Sequence, residues 1–229
     1  MFDAANVKAV LWDLDDTLYS RVDAARRTYP GMFRELLYEN RDDAFIEAAA
    51  DFMLSHIVRD SMVHRDSFQA LIAQFPPDKP YNLTALREYY FDHIHEFAVV
   101  GQEQLAVVKH LRALGIKTAI VTNVSPDRIP FQRNKIKALG LEPYFDAIVL
   151  SGECGVHKPD RKVFDHATSQ LGVPNEACIF VGDNPDADIV GAINAGMEAV
   201  WIDVWGDGDR FAGNPKVHRV QSVLEYFPL

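Results

Sequence analysis

Short apolar runs alternate with stretches of helical period over two portions of this chain. Runs at 7–14, 116–122, 146–151, 177–182 and 198–204 are too short for buried helices and rich in β-branched residues, so each predicts a buried strand. Between them, 103–114, 161–171 and 186–195 carry apolar residues at helical spacing. These three are followed by Gly115, Gly172 and Gly196, the residue that most easily takes left-handed backbone just past a helix end. Alternating strand and helix predicts an α/β fold: a doubly wound parallel sheet with helices on both faces, whose ligands bind at the carboxyl ends of the strands.

The stretch from about 18 to 98 breaks this alternation, with helical periodicity and almost no strand-like run. Helices are predicted at 22–40, interrupted near Pro30-Gly31, at 42–59, at 67–75 and at 83–97. Asp66 and Gln69 have capping-box spacing, and Pro76-Pro77 stops the third helix. The predicted organisation is therefore a core of 1–17 and 99–229 with an inserted α-helical domain, 18–98, arranged as a small bundle. Ser222 and Glu225 repeat the capping-box spacing before a short terminal helix.

Composition narrows the function classes. With 229 residues, 48% apolar and 24% charged, the chain is long enough for such a core plus one small insertion. A formal charge of −10 leaves no basic stripe for a nucleic-acid backbone, so no nucleic-acid polymer is expected as a partner. A small phosphate is still allowed if a bound cation and a lysine reverse the sign locally. Cys154 and Cys178 sit in neither a CxxC pair nor a metal-ligand spacing, which predicts reduced thiols. The start lacks a signal-peptide pattern and no run of about 18 apolar residues occurs, so a cytoplasmic protein without a membrane span is expected. The sequence carries no signal for oligomeric state.

The chemistry gathers at predicted strand ends. The first strand delivers Asp13, Asp15 and Asp16 to its own carboxyl end, a crowding of like charge that becomes favourable when a hard divalent ion takes the oxygens. Magnesium fits that description. Val121-Thr122-Asn123 follows the second strand, Lys158-Pro159 the third, and Gly182-Asp183-Asn184-Pro185-Asp186-Ala187-Asp188 the fourth.

This ordered set, DLDDT, VTN, the lysine of KP and GDNPDADIVGA, resembles the four motifs of the haloacid dehalogenase superfamily, over a core from 7 to about 203. The resemblance implies a Rossmann-like core and a magnesium-dependent phosphatase of small phosphorylated metabolites. Asp13 would be the nucleophile that forms an aspartyl phosphate, and Asp15 the acid that protonates the leaving alkoxide and later the base toward water. Thr122, Asn123 and Lys158 would hold the phosphoryl group, with Thr122 and Lys158 counted among the catalytic set. Asp13, the main-chain carbonyl of Asp15 and Asp183 would hold Mg2+. Asp188 would either hold a metal-bound water or pair with Lys158, and Asp186 reads as an N-cap.

The family's dehalogenases lack an aspartate two places after the nucleophile, so Asp15 favours phosphatase over 2-haloacid dehalogenase. A phosphomutase and a non-catalytic phosphate- or partner-binding module stay open as alternatives. The insertion resembles the helical cap of one large subgroup, which contacts the substrate beyond its phosphate; Tyr19, Arg26, Arg27, His56, His64 and Tyr90 are candidates for such contacts. The motif context is similar to nucleotidase, flavin mononucleotide phosphatase and sugar-phosphate phosphatase relatives.

Overall fold

The computed structural model describes residues 2–56 and 65–229 and divides into two compact units, Met1–Ser20 with Val100–Leu229 and Arg21–Val99. The larger unit is built on a six-stranded parallel sheet: β1 (Ala9–Trp12), β2 (Lys117–Thr122), β3 (Ala147–Leu150), β4 (Cys178–Gly182), β5 (Glu198–Ile202) and β6 (Val217–Val220), in the order β3-β2-β1-β4-β5-β6. All four residues of β1 are fully buried, as a central parallel strand covered on both faces requires. The order reverses at β1, with β2 on one side and β4 on the other. Trp12 pairs with both Ile120 and Val181, so the next residues of all three strands emerge at one edge.

The sixth strand, Val-His-Arg-Val, escaped the sequence reading. It is an edge strand, half exposed, and its composition lacks the continuous apolar run that marks the inner strands.

The smaller unit holds α1 (Arg21–Leu36), α2 (Asp43–Ser55), α3 (Arg65–Gln74) and α4 (Leu83–Phe97). The predicted interruption at Pro30-Gly31 does not occur: α1 runs through Pro30. A mid-helix proline costs about 3 kcal/mol, whereas burying each of Tyr29, Met32 and Phe33, all with no exposed surface, returns roughly 1.5–3 kcal/mol. Packing therefore outweighs the break. Asp42 caps α2 by accepting from the Phe45 amide at 2.9 Å; the helix ends at Ser55 with His56 as its C-cap, short of the predicted end at 59, and 57–59 lie outside the described residues. Asp66 lies inside the first turn of α3 rather than at its cap. Tyr90, a candidate for substrate contact, is core, its ring 5.7 Å from that of Tyr29. Arg26 pairs with Asp51 at 2.8 Å, and His64 lies outside the described residues.

In the larger unit, α5 (Gln102–Ala113), α6 (Ile129–Ala138), the single turn α7 (Ser151–Cys154), α8 (Arg161–Leu171) and α9 (Val190–Ala195) link the strands. Gly172 and Gly196 close α8 and α9 in the left-handed region, at φ 67° and 96°. A π-helical turn, Pro185–Ile189, precedes α9. The terminal capping box is present, with the Ser222 amide donating to Glu225 and the Leu224 amide to Ser222 Oγ. Cys154 and Cys178 are free thiols. Among the described residues, no helix is long and apolar enough to cross a membrane.

Candidate active site

The carboxyl ends of β1, β2 and β4 bring the motif residues together. Asp13 directly follows β1, and its amide continues the ladder by donating to Val181 O at 2.9 Å. Thr122 is the last residue of β2, and Asp183 directly follows β4. Asp13, Asp183 and Asp188 each present a carboxylate oxygen within 4.8 Å of the others, and all three residues are buried. Asp15 is not in that triad; its side chain is held elsewhere, as described below.

Lys158 reaches this cluster from the loop after α7. Its Nζ donates to Asp13 Oδ1 at 2.5 Å and to Asp188 Oδ1 at 2.7 Å, with only 2% of the side chain exposed. Asp188 thus pairs with Lys158, one of the two roles offered for it, and also stands in the triad. Its second oxygen accepts from the Asn184 amide at 3.1 Å. One lysine cannot balance three buried carboxylates. Burial, chiefly, with Asp188 and Asp15 adding to it against the pull of Lys158, raises the Asp13 carboxyl to about 7. Burial, then Asp188 and Asp13, raises Asp183 to about 8. Burial works against the Lys158 ammonium, but Asp13 and Asp188 outweigh it and push its pKa up. A buried, oxygen-only, electron-rich donor set of this kind fits a hard divalent cation.

Two further contacts shape the triad. Trp205 Nε1 donates to Asp183 Oδ2 at 2.9 Å, and Trp201 Nε1 to the Asp183 carbonyl at 3.0 Å, so both ends of this residue are held by indoles. Gly182 leaves room for Asp188: a Cβ there would overlap the Asp188 side chain.

Asn123 turns its side chain to the Lys158 backbone, Nδ2 donating to the carbonyl at 3.1 Å and Oδ1 accepting from the amide at 2.9 Å. Its amide group is therefore engaged with Lys158. Nearby, Ser151 Oγ accepts from the Val124 amide at 3.0 Å and lies 2.6 Å from His157 Nδ1, a second tie between the loop after β2 and the lysine segment.

The N-cap of the π-helical turn is Asn184 rather than Asp186: Asn184 Oδ1 accepts from the amides of Asp186 and Ala187 at 2.9 and 3.0 Å. Asp186 instead pairs with Arg210. Asp16 adopts a left-handed backbone at φ 59°, the turn role expected of it and one that aspartate tolerates better than most residues.

Of the groups that surround Asp15, sequence singled out Tyr19 alone. Asp15 Oδ1 accepts from Lys135 Nζ at 2.7 Å and from the Tyr19 hydroxyl, and Oδ2 from Gln132 Nε2 at 3.3 Å. Gln132 Nε2 also donates to Thr122 Oγ1 at 3.0 Å. Tyr19, proposed from sequence as a substrate contact, thus turns its hydroxyl to Asp15.

The chain resembles known proteins along most of its length. The family model described as haloacid dehalogenase-like hydrolase matches residues 7–196. The chain is 31% identical to the glyceraldehyde 3-phosphate phosphatase of Methanopyrus kandleri over 86% of this chain and 84% of that one. It is 29% identical to the phosphoserine phosphatase of Thermus thermophilus, over 86% and 89%. The fold superposes on the magnesium-bound hydrolase YfnB from Bacillus subtilis with a TM-score of 0.72 at 18% identity, covering 97% of this chain and 99% of that one. With its motif residues gathered at the strand ends and most of its length matched, the chain belongs to the haloacid dehalogenase-like hydrolases, and the curated relatives named here are phosphatases.

Proposed function

We propose that this hydrolase is a magnesium-dependent phosphomonoesterase of a small phosphorylated metabolite, working through a phospho-aspartate on Asp13. The observation that carries this reading is the buried cluster in which the Asp13 carboxylate meets Lys158 at 2.5 Å and shares its surroundings with Asp183 and Asp188. A carboxylate in such a place is costly unless its charge is put to use.

Asp13 attacks phosphorus through one carboxylate oxygen as the bond from phosphorus to the leaving oxygen breaks. Asp15 gives its proton to that oxygen, so the product leaves as an alcohol. Asp15, now ionised, takes a proton from water as the water oxygen attacks the phospho-aspartate, which returns inorganic phosphate and the free Asp13 carboxylate. Lys158 offsets charge on Asp13 and on the phosphoryl group, and the Thr122 hydroxyl donates to a phosphoryl oxygen. We assign Asn123 a main-chain contact to the phosphoryl group, because its side chain serves Lys158. Asp13, Asp183 and the Asp15 carbonyl would hold Mg2+, with Asp188 supporting from beside Lys158; when bound, the ion supplies charge neutralisation for the phosphoryl oxygens.

The relatives are phosphatases of glyceraldehyde 3-phosphate and of phosphoserine, which supports a small phosphorylated metabolite as substrate. A nucleotide, flavin mononucleotide or a sugar phosphate all meet that description. We assign the choice among them to the inserted helical unit, Arg21–Val99, acting as a cap domain, since the core residues serve only the phosphate.

The test is hydrolysis of para-nitrophenyl phosphate and of a panel of nucleotides, flavin mononucleotide and sugar phosphates, with magnesium and with chelator. Magnesium-dependent phosphate release, lost in Asp13→Asn, is expected. Folded protein that releases no phosphate from any of them, or that releases halide from a 2-haloacid instead, would overturn the reading.

A further inference from the structure

Helix α6 buries two polar side chains one turn apart on a helix whose other polar residues face water. Gln132 is 3% exposed and Lys135 4%. Removing an ammonium and an amide from water is unfavourable unless both find partners. Both do, and the partners converge on Asp15. Lys135 Nζ donates to Asp15 Oδ1 at 2.7 Å and to the Tyr19 hydroxyl at 3.2 Å, and Tyr19 donates to the same Oδ1. The rings of Tyr19 and Phe131 stand 5.4 and 5.5 Å from Nζ and enclose the ammonium. Gln132 Nε2 takes the other carboxylate oxygen, Oδ2, and also Thr122 Oγ1. A carboxyl oxygen keeps a lone pair whether or not it carries the proton, so the amide nitrogen can face Oδ2 in both states of the exchange.

Because donors hold both oxygens, turning the Asp15 carboxylate about its Cβ–Cγ bond would break at least one contact. The amide that orients Asp15 also occupies a lone pair of Thr122 Oγ1, which keeps the Thr122 hydroxyl proton for donation elsewhere. We propose that Lys135 and Gln132 are positioning residues: with Tyr19 they fix the Asp15 carboxyl for proton exchange with the leaving-group oxygen, and they couple that orientation to the Thr122 hydroxyl. This rests on the reading of Asp15 as proton donor. In the step they serve, the proton moves from the Asp15 carboxyl to the leaving oxygen while that oxygen keeps the electron pair of its broken bond to phosphorus and Asp13 forms the new one.

The experiment is the dependence of kcat/KM on leaving group in the magnesium-loaded full-length protein, from phenyl phosphate to 2,4-dinitrophenyl phosphate. Dinitrophenolate leaves without a proton, whereas a poorer leaving group needs one. Lys135→Met is expected to lower kcat/KM for phenyl phosphate by about 10- to 100-fold and for the dinitrophenyl ester by less than about 5-fold, with Lys135→Arg recovering part of the loss. A side chain that only fills space would lower all esters alike. Should Lys135→Met fold poorly, Tyr19→Phe, which keeps the ring and removes one donor to Asp15, is read on the same series. Asp15→Asn distinguishes loss of the positioning role from loss of the proton-donor role. If it shows the leaving-group dependence and the Lys135 and Tyr19 variants do not, the positioning role is wrong; if Asp15→Asn shows none, the proton-donor reading falls and this inference with it.

Discussion

The side-chain amide of Asn123 clips the backbone of Lys158 from both sides, donating to its carbonyl at 3.1 Å and accepting from its amide at 2.9 Å across 35 residues of sequence. The lysine that neutralises Asp13 is therefore aimed by a residue at the end of a different strand. Asn123→Ala removes both bonds and leaves two part-buried main-chain groups without partners, a loss of about 1–3 kcal/mol. Expected are a lower thermal midpoint and a fall in kcat of at least ~10-fold, since misplacement of a charged group near the reacting atoms is costly. Unchanged kcat in a destabilised variant would show that the clip serves only the fold.

Gly182 offers a sharper perturbation with little chemical change. A methyl group there would overlap the side chain of the buried Asp188, which holds Lys158 at 2.7 Å. Gly182→Ala should lower kcat by roughly 100-fold, comparable to removing an electrostatic stabiliser. Assay of purified protein against wild type at saturating magnesium checks it, and near-normal turnover would show that the Lys158–Asp188 pair is dispensable.

The site also sets a dependence of stability on pH. Burial and neighbouring carboxylates hold Asp13 up to about 7 and Asp183 up to about 8, against an ordinary carboxylate value of about 4. Such groups keep their protons in the native protein over a range where the unfolded chain has lost them. Their contribution to stability is therefore complete at acid pH and falls as pH rises from about 4 to about 8. In chelator, Asp13→Asn should melt above wild type at pH 8 and near it at pH 5. Magnesium should raise the wild-type midpoint more at pH 8 than at pH 5, because the ion competes with protons for the same oxygens. A magnesium shift that is equal at both values would contradict the assignment of these carboxylates as ligands.

Trp205 donates to Asp183 Oδ2 at 2.9 Å and so orients a carboxylate assigned to the metal. Trp205→Phe keeps the apolar surface and removes the donor. It should weaken magnesium binding, read by calorimetry, by about 10-fold. An unchanged dissociation constant would leave Trp205 a packing residue.

The fold was legible where one physical cause dominated. Each inner strand carries a short apolar run, and Asp13, Thr122 and Asp183 lie directly at or after such runs, so their meeting at one sheet edge follows from parallel pairing. Lys158 was legible only through its motif, because its place depends on Asn123 and on Ser151 at the start of α7. Gln132 and Lys135 were not legible, since polar residues on an amphipathic helix ordinarily face water, and only the tertiary placement of Asp15 explains their burial. Pro30 misled in the opposite sense: local chemistry argued for a break that the buried aromatic face of α1 overrides.

A phosphoryl group carried on Asp13 can be trapped there. Asp15→Asn can still be phosphorylated by 2,4-dinitrophenyl phosphate, whose leaving group needs no proton, but it lacks the base that activates water for the second step. Acid quenching after mixing with magnesium and this ester, followed by peptide mass spectrometry, should find a phosphoryl group on Asp13 at near-stoichiometric occupancy. A variant that turns over the ester while Asp13 stays unmodified, or that carries the phosphoryl group on another residue, would contradict the account.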